Sequence, residues 1–373
     1  MNTNKNNAPK TTMALKYKSA KYKSAVLRSP LSSKPVSAGL YWLLVCCLVF
    51  AVACSAPSDS PDSGDQAGNG TLRIVATTGM IADTAARVAG DKGSVEGLMG
   101  PGVDPHLYKA GESDVRKLSE ADLVLYNGLY LEGKMGDILV KMARSRPVVA
   151  VSESVDESLL REPPELEGHY DPHLWFDVSL WIRTLEPITE ALVEVAPEHE
   201  ATFRANADAA RAELEALDAW AQSRIEELPA ERRILITAHD AFGYFGDRYG
   251  LEVIGIQGIS TLAEAGLQDV ERVVDLVVER GVPAMFVESS VPKRTIEAVQ
   301  AACKDRGHDV AIGGELFSDA MGAEGTVEGT YEGMVRHNVN TIVDALLDGV
   351  ATGEDPTAAE NTVPTEDTAE NGS

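Results

Sequence analysis

Cysteine is nearly absent from the part of this 373-residue sequence that can fold. Three of the four cysteines, Cys46, Cys47 and Cys54, lie in or directly after an N-terminal apolar run, which leaves Cys303 alone. A single thiol cannot form a disulfide within one chain, and the lack of a Cys-x-x-Cys pair argues against a thiolate zinc site. Any metal site in this protein must therefore be built from other side chains.

Basic residues are also scarce once the N-terminus is set aside. The first 53 residues carry eight Lys or Arg and no acidic residue, so their removal leaves 25 basic and 58 acidic residues, a formal charge of −33. This balance argues against nucleic acid as a partner, because phosphates need a basic surface. It fits an exported protein or one from a salty habitat, and it equally fits an ordinary solvated acidic surface.

The N-terminal apolar run, residues 40–53, is short for a membrane span and has the length of a signal-peptide core. Ala51 and Ala53, directly before Cys54, are similar to a bacterial lipobox, in which the cysteine becomes the lipidated first residue. Position 51 usually holds Leu in that motif. An ordinary cleaved signal, an uncleaved anchor or a misassigned start codon are the alternatives.

Short apolar strands alternate with amphipathic helices over most of the remaining chain, which is typical of a parallel, doubly wound sheet. Two of the predicted helices run from about Glu132 to Ala143 and from about Asp177 to Val195. Residues 197–228 interrupt this alternation with no internal Gly or Pro, and they predict a single helix of about 45 Å. Its apolar residues step by three, four and seven positions, as one stripe of a helix does. They are Phe203, Ala207, Ala210, Leu214, Leu217, Ala221 and Leu228.

The predicted fold is therefore α/β, with two doubly wound parallel-sheet lobes joined by one long rigid helix. A ligand site is expected in the cleft between the lobes, at the carboxyl ends of the strands. The domain assignment is a signal peptide at 1–54, a flexible tether at 55–70, an N-terminal lobe at 71–195, the connecting helix at 196–229, a C-terminal lobe at 230–350 and a disordered acidic tail at 351–373.

Two identical tripeptides, Asp104-Pro105-His106 and Asp171-Pro172-His173, occur in a chain with only seven histidines. Proline fixes its own φ and pushes the preceding residue out of the helical region. Each histidine is thus presented from a stiff turn, which suits a metal ligand because the ordering cost is met during folding. We predict that His106 and His173 form half of a metal site.

The other half of the site is predicted in the C-terminal lobe. His239 lies at the end of a predicted strand, and Asp319 follows another. Asp319 also has an alternative reading, because Ser-Asp is a good helix N-cap pair. The remaining histidines are interpreted as ordinary surface residues, namely His169, His199, His308 and His337.

Six segments carry a resemblance to a known family. In chain order they are Gly102-Val-Asp-Pro-His106, Asp171-Pro-His-Leu-Trp-Phe-Asp177, Thr237-Ala-His-Asp-Ala-Phe-Gly-Tyr-Phe245, Gly255-Ile-Gln-Gly-Ile-Ser-Thr261, Phe286-Val-Glu-Ser-Ser-Val-Pro292 and Leu316-Phe-Ser-Asp319. They resemble the metal-binding lipoproteins of bacterial zinc and manganese ABC importers, also called solute-binding protein family nine. The resemblance covers about residues 71–350 and departs at residues 262–266, where the family usually has a proline.

The resemblance implies that His106, His173, His239 and Asp319 are the metal ligands. Three imidazoles and one carboxylate suit zinc, manganese or ferrous iron. At the position of the third ligand, where this chain has His239, family members similar to manganese carriers often have Glu. High-affinity zinc members often have a long His-rich loop in the first lobe, whereas this chain has only residues 162–169 there, with one histidine. The cargo is therefore left open between Zn²⁺ and Mn²⁺, with intrinsic affinity favouring zinc.

The implied function is the capture of this ion by an extracytoplasmic, monomeric protein that is lipid-anchored at Cys54. The implied partners are a membrane permease and its cytoplasmic ATPase, with no nucleic acid and no catalytic residue. Four carboxylates are candidates for fixing the imidazole tautomers behind the ligands: Asp104, Asp171, Asp240 and Glu288.

Two other functions are weighed against this one. A surface adhesin is compatible with metal carriage and is a role often suggested for lipoproteins of this family. A zinc hydrolase is disfavoured, because catalytic zinc usually keeps an open position and the chain has no His-Glu-x-x-His helix.

Overall fold

The N-terminal lobe is built on one four-stranded parallel sheet. The computed structural model describes residues 71–166 and 168–348, so the predicted signal peptide, Cys54, the tether and the acidic tail lie outside the described residues. The strands lie in the spatial order β2-β1-β3-β4. They are β1 (Leu72–Ala76), β2 (Gly93–Gly97), β3 (Leu123–Tyr126) and β4 (Val148–Ala150).

Both faces of this sheet are covered by helices. Alternate strand residues point to opposite faces, so Ile74 joins one buried cluster with residues of α1 and α5, whereas Val75 joins another with residues of α2 and α3. A sheet buried on both faces is what the doubly wound prediction requires. The helices are α1 (Gly79–Ala89), α2 (Glu112–Glu120), α3 (Gly136–Met142), α4 (Val178–Trp181) and α5 (Leu185–Val195).

The long connecting helix is α6 (Glu200–Ile225), which has 26 residues. Its length is about 39 Å at 1.5 Å per residue, somewhat shorter than predicted. All seven residues of the predicted stripe are buried, including Leu228, which lies just beyond the end of the helix. The stripe belongs to one hydrophobic cluster that also contains residues of the sheets on both sides, such as Ile74 and Leu235. The two lobes therefore share a core along α6.

The C-terminal lobe contains two pairs of parallel strands, and β5 contacts β7. The strands are β5 (Ile234–His239), β6 (Glu252–Gln257), β7 (Ala284–Glu288) and β8 (Ala311–Leu316). The helices are α7 (Gly243–Tyr249), α8 (Leu267–Arg280), α9 (Arg294–Asp305) and α10 (Tyr331–Asp348). Residues of α8 and α9 cluster with one face of the strands, and residues of α10 cluster with the other. The predicted α/β class with parallel sheets is confirmed, and the exact domain bounds stay a prediction.

Two predicted helices differ from the observed ones. The helix expected from Asp177 to Val195 is divided by a tight 3-10 turn at Ile182–Thr184. Pro187 explains the break, because proline lacks an N–H and its ring clashes with the carbonyl four residues earlier. The helix expected from Glu132 begins only at Gly136, since the Glu132 carboxylate instead accepts hydrogen bonds from Thr77 and from two backbone N–H groups.

Within residues 71–166 and 168–348, no helix combines the length and the apolar character that a membrane crossing needs.

Candidate metal centre

The two Asp-Pro-His triplets adopt the same local turn. In each, the aspartate Oδ1 accepts a hydrogen bond from the backbone N–H of the histidine, at 2.8 Å for Asp104 and His106 and at 3.0 Å for Asp171 and His173. Such turns are typical of Asp, whose short side chain reaches the backbone two residues on. The repeated sequence thus produces a repeated geometry, and each turn aims its imidazole at the same place.

The other two predicted residues come from the C-terminal lobe. His239 is the last residue of β5, and Asp319 lies three residues after β8. The backbone before Asp319 is held by a bond across the lobes, because Trp175 Nε1 donates to the Ser318 carbonyl at 3.0 Å. The next helix, α10, begins only at Tyr331. The alternative reading of Asp319 as a helix N-cap is therefore wrong.

All four predicted residues meet at one point. The His106 and His173 Nε2 atoms are 3.3 Å apart, and Asp319 carboxylate oxygens lie 3.3 Å from His173 Nε2, 3.4 Å from His239 Nε2 and 3.9 Å from His106 Nε2. One ligand atom from each residue lies within 4.8 Å of every other. Four ligand atoms placed tetrahedrally at zinc bond lengths would be about 3.4 Å apart. The spacing therefore fits a single small cation.

The site is buried and its polar atoms are left without partners. His106 is 4% exposed, Asp319 is 2% exposed, and His173 and His239 are 0% exposed. Both carboxylate oxygens of Asp319 and Nε2 of His239 lack a hydrogen-bond partner within the described part of the chain. An unpaired polar atom in the interior is costly. A cation bound to these atoms would remove that cost, so the residues present fit a metal ion.

Two of the candidate carboxylates lie beside the Nδ1 atoms of imidazoles, on the side opposite the Nε2 atoms that face the site. Asp171 Oδ1 lies 2.8 Å from Nδ1 of His173, and Glu288 Oε2 lies 2.5 Å from Nδ1 of His239. A carboxylate at Nδ1 keeps the proton there and leaves Nε2 free to bind a metal. Asp104 acts instead on the backbone of His106. Asp240 has no hydrogen bond to any of these histidines in the described ranges, so Asp171 and Glu288 are the two of the four candidates that lie against an imidazole.

Burial and neighbouring charges shift the pKa values of the site in different directions. Burial lowers the pKa of His106 to about 4, although Asp319 opposes this. Burial also disfavours the charged form of His173, but the neighbouring carboxylates of Asp171 and Asp319 outweigh it and raise the pKa to about 9. Burial of His239 is likewise outweighed by the two carboxylates beside it, and its pKa lies well above the usual value. Without metal, these shifts favour the protonated form of His173 and His239 at neutral pH.

Burial opposes the ionisation of Asp319, but His239 and His173 outweigh it and hold the pKa of this carboxyl well below its usual range. Asp319 therefore stays a carboxylate across the physiological pH range, as a metal ligand must.

Sequence reasoning missed the groups that support the His173 turn. Asn127, directly after β3, donates from Nδ2 to the Pro172 carbonyl at 3.0 Å. Its backbone N–H and that of Gly128 in turn bind the buried Glu132 carboxylate, at 2.7 and 3.2 Å. The only feature of the sequence that could have indicated these residues is that they follow a strand of a parallel sheet, because ligand sites lie at the carboxyl ends of such strands.

Comparisons with known proteins identify relatives that are named as metal-binding proteins. The family model described as "Zinc-uptake complex component A periplasmic" matches residues 74–345. The manganese-binding lipoprotein MntA of Bacillus subtilis is 48% identical over 286 residues, which are 76% of this chain and 93% of MntA. The zinc-binding protein TroA of Treponema pallidum is 50% identical over 284 residues, which are 76% of this chain and 92% of TroA. The solved structure of periplasmic TroA superposes with a TM-score of 0.73 and 49% identity, covering 74% of this chain and 99% of that one.

Proposed function

This chain belongs to the family of the periplasmic component A of zinc-uptake complexes, and from that premise we propose that it captures a divalent transition metal ion outside the cytoplasm. The ion is cargo for an ABC importer and not a resident cofactor. His106, His173, His239 and Asp319 hold it between the two lobes, and a membrane permease with its cytoplasmic ATPase receives it.

One observation carries this proposal: three imidazole nitrogens and one carboxylate oxygen converge in a buried site, and several of these atoms have no other partner. Two ligands come from each lobe, so a bound ion joins the lobes. A carrier needs this arrangement, because opening of the lobes would remove half of the coordination shell at once.

The charges around the site support reversible capture. The carboxylates of Asp171, Glu288 and Asp319 surround three imidazoles, of which two are protonated when no metal is present. Replacement of two protons by one divalent ion leaves the net charge of the buried site unchanged. Proton release thus lets a buried site accept a double charge without a large electrostatic cost.

Zinc is the ion that this shell binds most tightly, by our proposal. Zinc stands above manganese and ferrous iron in the usual order of affinities, and a tetrahedral shell of three nitrogens and one oxygen suits it. The relatives are divided, since one is named for manganese and another for zinc. Manganese carriage is therefore the second candidate for the physiological cargo.

The coordination shell distinguishes a carrier from a hydrolase. A hydrolytic zinc site keeps a position open for water, whereas here Asp319 supplies a fourth ligand atom. We expect Asp319→Ala to weaken zinc binding strongly in a carrier, while a hydrolase with three histidine ligands would mostly keep its metal. Zinc binding by Asp319→Ala that is nearly as tight as that of the unaltered chain would contradict the proposal.

The remaining parts of the proposal concern placement. The protein acts as a monomer, and lipidation of Cys54 ties it to the outer face of a membrane. The lipoprotein names of relatives, such as MntA of Bacillus subtilis, support this. Metabolic labelling with a radioactive fatty acid tests it, and Cys54→Ser is the variant that should lose the label.

The experiment that tests the metal proposal is competition titration of the purified protein. Zinc and manganese are titrated separately and then together, with inductively coupled plasma mass spectrometry for stoichiometry. One zinc ion per chain that excess manganese cannot displace supports zinc carriage. Comparable affinities, or manganese retained from cells grown in both metals, support manganese carriage.

The ligand variants provide the controls. His106→Ala and His239→Ala should bind neither ion tightly, whereas His199→Ala, which changes a histidine outside the site, should bind as the unaltered chain does. Absence of stoichiometric binding of either ion to the unaltered chain would overturn the proposal.

A further inference from the structure

A hydrogen bond outside the coordination shell joins the two lobes beside the site. Thr261 Oγ1, in the loop between β6 and α8, donates to Asp104 Oδ2 at 2.6 Å. The other oxygen of the same carboxylate accepts from the backbone N–H of His106 at 2.8 Å. Thr261 is 8% exposed, so water competes little for this bond. One carboxylate therefore connects a metal-site histidine of the first lobe to a loop of the second.

The loop that carries Thr261 is itself attached to the strand end that carries His239. Gln257, the last residue of β6, donates from Nε2 to the carbonyls of Thr261, at 3.1 Å, and Ala263, at 2.6 Å. Gln257 also lies opposite His239 in the register of β5 and β6. A continuous path thus runs from His106 through Asp104, Thr261 and Gln257 to His239.

The metal-site residues are closed off from solvent in this arrangement of the lobes. The four metal-site residues are at most 4% exposed, and they come in pairs from the two lobes. Release therefore requires that the loop bearing His106 separate from the C-terminal lobe. The bond from Thr261 to Asp104 must break in that motion, because it joins the two parts that separate.

We infer that Thr261 is a positioning residue that latches the closed form and sets the rate of metal release. The inference rests on the proposed function and adds a residue that does not contact the ion. Capture occurs from the open form, in which the latch is not made. The latch therefore slows dissociation and leaves association nearly unchanged.

The test compares zinc kinetics of Thr261→Val with those of the unaltered full chain. Valine keeps the shape of threonine but cannot donate a hydrogen bond, so one carboxylate oxygen of the half-buried Asp104 loses its partner. Loss of a hydrogen bond to a charged group should raise the zinc dissociation rate about tenfold or more. Dissociation is followed by stopped flow with an excess of a chromogenic chelator, and association by mixing with limiting zinc.

Two controls separate the latch from a general effect on the loop. Thr261→Ser keeps the hydroxyl and should restore slow dissociation. Ser260→Ala removes the neighbouring hydroxyl, whose only partner in the described residues is the N–H of Leu262, and should release zinc as the unaltered chain does. Thr261→Ala serves as the second variant without a hydroxyl if the valine variant folds poorly by circular dichroism.

The outcomes are distinct. Faster dissociation in the valine and alanine variants, with unchanged association and stoichiometry, supports the latch. Dissociation rates equal to that of the unaltered chain would overturn it and leave the proposed function standing. If the unaltered chain bound neither zinc nor manganese, the proposed function itself would be removed.

Discussion

Glu288 decides which nitrogen of His239 faces the metal. Its Oε2 lies 2.5 Å from Nδ1, and its Oε1 accepts from the backbone N–H at 2.8 Å. In Glu288→Gln the oxygen of the amide remains on the backbone N–H, so the NH₂ group faces Nδ1. That change favours a proton on Nε2, which then cannot bind metal. We expect zinc affinity to fall by about 10- to 100-fold, as measured by chelator competition.

The matched control for this variant is Glu297→Gln, which makes the same chemical change on the exposed face of α9. It should bind zinc as tightly as the unaltered chain. Equal affinity in Glu288→Gln and Glu297→Gln would show that Glu288 does not determine the state of His239.

Metal binding should release protons. The pKa of His173 is raised to about 9 and that of His239 lies well above its usual value, so both carry a proton at pH 7 that zinc must displace. His106, with a pKa lowered to about 4, has none to lose. We expect about two protons per zinc ion at pH 7, and an apparent affinity that falls about 100-fold for each pH unit on acidification.

Calorimetry in buffers with different ionisation enthalpies measures the proton count directly. The slope of the observed enthalpy against the buffer enthalpy gives the number of protons transferred. A slope near zero at pH 7 would contradict the protonation states argued above.

The sequence predicted the three imidazoles, the Asp319 carboxylate and a set of candidate carboxylates behind the imidazoles, but it did not predict the contacts that join the two lobes at the site. His106 and His173 were found because their tripeptide is repeated, and His239 and Asp319 because they follow strands. The bond between Thr261 and Asp104 joins residues that are 157 positions apart. Such a contact exists only once both lobes are folded, and local propensity carries no information on it.

The helix α6 is the element on which both lobes pack. It contacts α1 and α5 on one side and α10 on the other, and its buried stripe belongs to the cluster that the lobes share. Leu217, 1% exposed, lies within that stripe. Because Leu217→Ala leaves a cavity in a common core, we expect a loss of about 2–5 kcal/mol in the free energy of unfolding.

Urea denaturation of the metal-free protein, followed by far-UV circular dichroism, measures this loss. Both lobes should unfold in one transition that moves to lower urea. Glu215→Ala, at an exposed position of the same helix, should change the free energy by no more than about 0.5 kcal/mol. Two separate transitions, with one unaffected by Leu217→Ala, would contradict a shared core.

Element boundaries were less predictable than element types. All seven residues of the predicted stripe are buried, and six of them lie in α6, because periodicity over 26 residues is a strong signal. The start of α3 was wrong because the Glu132 carboxylate is used in a buried network with Thr77. The helical pattern of the sequence does not show that the Glu132 side chain forms hydrogen bonds with residues outside the predicted helix.

At the scale of the whole molecule, the two lobes have the same plan. Each places parallel strands between helices and presents polar residues at the carboxyl ends of those strands. The plan was predictable, since strand and helix patterns alternate in both halves. How the lobes meet was not, because bonds such as that between Trp175 and Ser318 depend on their mutual placement.

The net charge of the chain, −25, should affect the rate at which zinc reaches the site. A negative surface attracts a divalent cation over about one Debye length, which is roughly 30 Å at 0.01 M salt and 3 Å at 1 M. The association rate of zinc should therefore fall about tenfold between these salt concentrations. The dissociation rate should change little, because the coordinating atoms are buried and are screened weakly. Stopped-flow mixing at zinc concentrations where the rate is proportional to zinc separates the two rates, with sodium perchlorate as the salt because chloride binds zinc. An association rate independent of salt would mean that the acidic surface only solvates the protein and does not guide the ion to the cleft.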